Sequence, residues 1–188
     1  MNVYDFDNTI LKGDSSFLFL TDCLKRHPKL ILKLPRLVSY AVWFGLGRME
    51  KQTFKQNVFS MFLPALSDPE KEVERFWDET EKRVKAFYRE TQKPDDTVIS
   101  ASPEFLIRPI CGRLGIVNVM ASPVDIRTGR FLGKNCQGEE KPVRFRAIFP
   151  DTEIEEFYSD SLNDTPMARI AKKAILVKGE KLLPWPDR

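Results

Sequence analysis

The sequence predicts an α/β fold, a parallel sheet with helices on both faces, interrupted after its first strand–helix unit by a small all-helical insertion. Three observations predict it. Short apolar runs at 2–7, 97–100, 116–121, 154–159 and 174–177 alternate with helical periods, the pattern of strand–helix–strand units. Residues 28–92 contain no convincing strand. Acidic residues fall at the C-terminal ends of two strands, where ligands bind in open parallel sheets. The expected organisation is a core of 1–27 and 92–188, with 28–91 as the helical insertion.

Each element has a local reason. Residues 2–7 (NVYDFD) alternate apolar and polar side chains, as a short strand does. A helix is expected from Ser15–Ser16, whose hydroxyls are available as caps, through Phe17, Leu20 and Leu24 to His27, where Pro28 stops it. Within the insertion, 29–46 and 49–63 carry apolar residues at helical spacing. Residues 68–90 read as one charged helix with Val73, Phe76, Trp77, Val84 and Phe87 along a face. Pro35, Pro64 and Pro69 punctuate these helices.

The α/β pattern then resumes. Residues 97–100 read as a buried strand and 103–113 as a helix with proline in its first turn. After a strand at 116–121, residues 124–132 form an expected hairpin turning at Thr128-Gly129. A short helix at 142–149, a strand at 154–159, a helix at 165–172 and a last strand at 174–177 complete the chain.

Composition excludes several classes. With 188 residues, 42% of them hydrophobic and 30% charged, the chain has enough apolar material for one sizeable core and is not a disordered segment. A net charge of +3 does not argue for a nucleic-acid partner. Cys23, Cys111 and Cys136, with no CxxC spacing, point to reduced thiols in a cytoplasmic protein. No basic segment followed by an apolar one opens the chain, so no secretory signal is expected. The most apolar stretch, 37–47, is about half the ~20 residues a spanning helix needs. Residues 24–58 carry eight basic residues against one acid, interleaved with apolar and aromatic side chains. Such a surface suits peripheral contact with an anionic membrane at the inner face, or a solvated face of a self-packed lobe.

The chemistry lies at the strand ends. Asp5 and Asp7 close the first strand, and Asp160 and Asp164 follow the strand at 154–159. Carboxylates converging on one crevice repel one another unless a cation neutralises them, and their hard oxygens suit Mg²⁺. Ser100 offers a hydroxyl, with backbone N–H groups beside it, as an anion site, and Lys141 offers an ammonium. Together these groups make a phosphoryl-transfer site. Ser102 is a rival to Ser100 and an alternative helix cap, and Lys134 is a rival to Lys141. His27 reads as a helix-end residue and Cys136 as a buried one.

Four motifs in order, Asp5-Phe6-Asp7-Asn8-Thr9, Val98-Ile99-Ser100, Lys141 and Asp160-Ser161-Leu162-Asn163-Asp164, resemble those of haloacid dehalogenase (HAD) superfamily phosphatases, in the phosphoserine-phosphatase-like branch. The resemblance implies a Rossmann-like core with the helical insertion as its cap. It implies Asp5 as a nucleophile forming an aspartyl-phosphate, and Asp7 as general acid and then base. Asp5, the Asp7 carbonyl and Asp160 would hold Mg²⁺, with Asp164 acting through water or steadying Lys141. Ser100 and Lys141 would hold the phosphoryl oxygens, and Asn8 and Thr9 would support the loop.

The resemblance implies a phosphorylated small molecule or lipid headgroup as substrate. Against phosphoserine itself, Lys12-Gly13-Asp14 supplies only Asp14 where that group carries Glu, and Ser100-Ala101-Ser102-Pro103 lacks the paired glycines. Tyr158-Ser159-Asp160-Ser161 and the basic apolar insertion look more like phosphatases acting on phosphatidylglycerophosphate. A phosphotransferase and a non-catalytic membrane-surface module are the competing classes.

Overall fold

Five parallel strands and one antiparallel strand form a single sheet in the order β3-β2-β1-β4-β5-β6 in the computed structural model, which describes residues 1–186. The central strand β1 (Val3–Tyr4) pairs in parallel with β2 (Thr97–Pro103) on one side and β4 (Ile154–Ser159) on the other. β3 (Asn118–Ser122) extends the sheet beyond β2, and β5 (Ala171–Lys178) beyond β4. The chain winds first to one side of β1 and then to the other, so β1 and β4 flank a topological switch point. The expected α/β class holds.

Several elements differ in detail. The first strand is shorter than 2–7, because the chain turns sharply after Asp5: the Ile10 and Leu11 N–H groups both bond Phe6 O. The second runs on to Pro103, which becomes the cap residue of α6 (Glu104–Arg113) in place of its first turn. Helix α1 (Ser15–Arg26) is capped by Asp14, which accepts from Phe17 N at 2.8 Å, and not by the serines. The serine hydroxyls instead turn inward to Ser102. His27 ends α1 with its N–H on Cys23 O.

A short 3₁₀ helix leads into α2 (Leu34–Gly45), which contributes no fully buried residue. α3 (Lys51–Phe62) follows, joined to α2 by the stacked rings of Phe44 and Phe54. The expected single helix over 68–90 is two: α4 (Pro69–Thr80) and α5 (Ala86–Thr91), separated by a 3₁₀ turn. α4 packs against α1 and α6. Trp77 donates to Leu106 O at 2.8 Å and meets Phe6 edge-on, while Arg113 at the end of α6 pairs with Glu74 and Asp78. One buried cluster runs from Tyr4 and Phe6 through Phe59, Phe62 and Trp77 to Ile110, so 28–91 shares its core with the sheet.

Three later elements complete the fold: α7 (Glu140–Ile148), α8 (Thr165–Ile170) and β6 (Lys181–Pro184), the last an antiparallel return along β5 that the apolar pattern does not announce.

The hairpin at 124–132 forms through a Val124–Phe131 bridge and turns at Gly129, where φ is +72°. A Cβ there would lie 2.3 Å from the backbone of Phe59 and Ser60 in α3. Gln52 and Gln56 complete this seam: Gln56 accepts from Phe131 N, and Gln52 both accepts from Asn135 N and donates to Gly133 O. Gly129→Ala is therefore expected to lower the unfolding free energy by at least about 2 kcal/mol in chemical denaturation. Gly47→Ala, also at positive φ (+68°) but in open space, is expected to cost about 1 kcal/mol. Equal losses would mean that close approach to α3 is unimportant.

Candidate active site

The turn after β1 presents the first two acids. Asn8 adopts φ +55°, a left-handed conformation that Asn tolerates better than most residues. The buried Thr9 uses its hydroxyl to accept from Asp160 N at 2.9 Å. One threonine thus ties the loop after β1 to the loop after β4.

The centre of the site is a buried chain of charge. Lys141, at the start of α7 and 2% exposed, donates to Asp5 at 2.7 Å and to Asp164 at 2.6 Å. Asp164 also accepts from the Ser159 hydroxyl at 2.8 Å. Lys134, the rival lysine, lies on the surface near Glu140. Asp7 accepts from Ser15 N at 2.6 Å and from the Ser102 hydroxyl.

A cavity of about 570 Å³ brings Asp5, Asp7, Asp160, Asp164 and Lys141 together, with Asp14, Gln137 and Gly138 at its walls. Ser100 is placed differently. It is fully buried, its hydroxyl accepts from Ser102 N at 3.1 Å, and Ala101 rather than Ser100 lines the cavity.

Lys51, Lys55 and Lys85 were not singled out from sequence as site residues. Lys51 and Lys55, one helical turn apart on α3, reach the cavity, and Lys55 donates to Ala101 O at 2.9 Å. Their i,i+4 spacing is the only signal, and it is shared by many solvated lysines. Ser102, weighed as a rival to Ser100 and as a helix cap, is the hydroxyl on Asp7. Lys85, buried, donates to Asn8 O and to Gly179 O.

Burial dominates the electrostatics. It pushes Asp5 up to about 7; Lys141 opposes this, and Asp164 and Asp7 add to it. Asp7 is raised by burial and then by Asp14, against the hydrogen bonds from Ser102 and Ser15. Asp160 is raised by burial and by Asp164. Burial lowers Lys141, but Asp5 and Asp164 outweigh it and the net direction is up. Among the described residues no three acidic, His or Cys side chains stand together at metal spacing. The implied ligand set is two carboxylates and one main-chain carbonyl, all hard oxygen donors, and this chemistry fits Mg²⁺.

The profile of the haloacid dehalogenase-like hydrolase family matches residues 3–169, and the chain belongs to that family. Protein CicA of Caulobacter vibrioides is 26% identical over 194 residues, spanning 89% of this chain and 81% of that protein. A protein of unknown function from Bordetella pertussis Tohama I shares the fold with a TM-score of 0.78 at 21% identity, over 94% of this chain and 88% of the other. A phosphoserine phosphohydrolase-like protein from Francisella tularensis aligns with a TM-score of 0.61 at 18% identity, over 94% and 87%. The enzyme class expected from the sequence, a phosphatase, accords with the family.

Asp5 has a consequence for stability. Below pH 3.8 its carboxyl is protonated in both states; between 3.8 and about 7 the unfolded chain releases the proton while the folded one retains it. Stability in metal-free buffer is thus expected to fall as pH rises through that window, by up to about 1.4 kcal/mol per pH unit for one such group. Asp5→Asn should reduce the slope in urea titrations. A wild-type profile that rises over the window would contradict the raised carboxyl.

Proposed function

We propose that the protein is a Mg²⁺-dependent phosphomonoester hydrolase acting through an aspartyl-phosphate on Asp5, with the helices of 28–91 forming a cap over the pocket. The observation that carries the reading is the Asp5–Lys141–Asp164 chain facing a cavity also lined by Asp7 and Asp160.

In this reading a carboxylate oxygen of Asp5 attacks phosphorus and the ester bond breaks. Asp7, whose proton affinity burial raises, acts as the general acid and donates a proton to the departing oxygen. Asp7 then takes a proton from water as the water attacks the aspartyl-phosphate and Asp5 is released. Lys141 holds its ammonium beside Asp5 throughout, where negative charge gathers on the phosphoryl oxygens. Asp5, Asp160 and the Asp7 carbonyl would hold Mg²⁺, which supplies charge neutralisation of the phosphoryl group when bound. Ser100, buried behind Ala101, supports the phosphate-facing backbone in this reading, and its hydroxyl reaches phosphate only if the Ser102 N–H bond is exchanged.

The substrate class is a phosphorylated small molecule or a lipid headgroup, with phosphoserine and a phosphatidylglycerophosphate-type lipid as the finer alternatives. Transfer to an added alcohol in place of water would mark a phosphotransferase. No helix among the described residues is long and apolar enough to cross a membrane. The outer face of α2 exposes Val38, Val42 and Trp43 beside Arg36 and Arg48, and this supports peripheral contact with an anionic membrane.

Para-nitrophenyl phosphate with Mg²⁺ is expected to be turned over and to stop on chelation. Asp5→Asn should lower kcat by at least about a thousandfold, and Asp7→Asn by about 10²–10⁴. Equal rates for wild type and Asp5→Asn would remove Asp5 as nucleophile. Co-sedimentation with phosphatidylglycerol vesicles should be strong at low salt and weaken by 0.5 M salt. Absence of binding at low salt would remove the membrane contact.

A further inference from the structure

The catalytic pocket does not end at its charged walls. A second cavity, of about 370 Å³, lies between α1, α2 and α3 and adjoins the first: Asp14 and Lys55 line both. Beyond these two residues its lining is almost wholly apolar, with Leu20 and Leu24 on α1, Leu37 and Ala41 on α2, and Phe54 and Val58 on α3. Protein interiors leave few voids larger than a water molecule, and a groove of this size with apolar walls is the form that small-molecule sites take.

The position of the groove says what fills it. Asp14 caps α1 and Lys55 reaches the end of β2, so the border between the two spaces lies beside the phosphate-handling residues. An apolar substituent on a phosphate at Asp5 can leave water by passing between Asp14 and Lys55 into this groove. Phosphoserine would reach only Asp14 and Lys55 at the border and leave the apolar body of the groove unfilled.

We infer that the groove between α1, α2 and α3 receives the apolar substituent of the substrate, so that the substrate is an amphiphilic phosphomonoester, an alkyl or aryl group carrying a terminal phosphate. This rests on the phosphatase reading above. Substrate choice then comes mainly from apolar burial, which grows with chain length, while Lys55 marks the point where the polar head gives way to the tail.

The test uses alkylphosphonates from methyl to octyl, kept below their micelle concentrations, titrated calorimetrically into the intact protein with Mg²⁺. The dissociation constant is expected to fall about fourfold per added methylene while the chain still fits, with an increasingly negative heat-capacity change. Ala41→Trp, which fills the groove, should shrink the octyl-to-methyl affinity ratio by at least about tenfold, as converted from the same area scale. If that variant does not fold, Leu37→Asn, which places an unpaired amide in the groove, should shrink the ratio in the same direction. A dissociation constant independent of chain length overturns the inference, as does a chain-length dependence that both folded variants retain in full. Normal turnover of para-nitrophenyl phosphate with a flat phosphonate series leaves the phosphatase and removes the amphiphile. Chain-length-dependent binding with no turnover of any phosphate ester leaves the groove and removes the hydrolase.

Discussion

A single buried ammonium makes the site possible. Asp5, Asp7, Asp160 and Asp164 approach one cavity from two different loops, and carboxylates gathered in this way repel one another and lose hydration. Lys141, bonded to Asp5 and Asp164 at once, offsets part of both costs. Buried ion pairs are weak sources of net stability because desolvation consumes much of the attraction. Their value here is geometric, since three remote segments can meet only in the arrangement that satisfies this ammonium. The sheet order makes the meeting inevitable: β1 and β4 are neighbours, and the chain reverses its winding between them.

Around that centre, polar groups set direction more than stability. Ser102 serves Asp7 with its hydroxyl and Ser100 with its N–H, while Ser15 meets Asp7 through its backbone. On the other side, Gln52 and Gln56 stitch α3 to the segment 131–135. That seam fixes which way α3 faces, and so fixes where Lys51 and Lys55 point. The acidic cavity and the apolar groove beside it therefore belong to one packed body, and the core cluster running from Phe6 to Phe62 shows the same continuity.

Much of this was legible in the sequence, and for physical reasons. Buried parallel strands give compact apolar runs, and the strand at 154–159 was expected with the bounds it has. Acids at strand ends announced the crevice because charge at those places is costly without a purpose. Legibility failed where a tertiary contact overrode a local preference. The sequence 81-EKRVK-85 is acceptable in a helix, yet Lys85 is drawn down to Asn8 and Gly179 and the helix breaks there. Ser15 and Ser16 were plausible caps, but their hydroxyls are spent on Ser102 and Asp14 takes the role. β6 carries only Leu182 and Leu183, both exposed, so nothing in its pattern marks a strand; β5 templates it. Ser100 ends an apolar run as a site residue would, but its depth behind Ala101 depends on how β2 continues to Pro103.

The Lys85 ammonium also links parts of the chain that share no neighbouring sequence. It holds the carbonyl of Asn8, in the loop after β1, and the carbonyl of Gly179, at the bend between β5 and β6. The last hairpin is thus a brace as well as a margin of the sheet. Cutting it away, or prising it open with an antibody fragment, would loosen the peptide that follows Asp7 while touching none of the side chains that line the acidic cavity. Activity would fade before the rest of the molecule lost its shape.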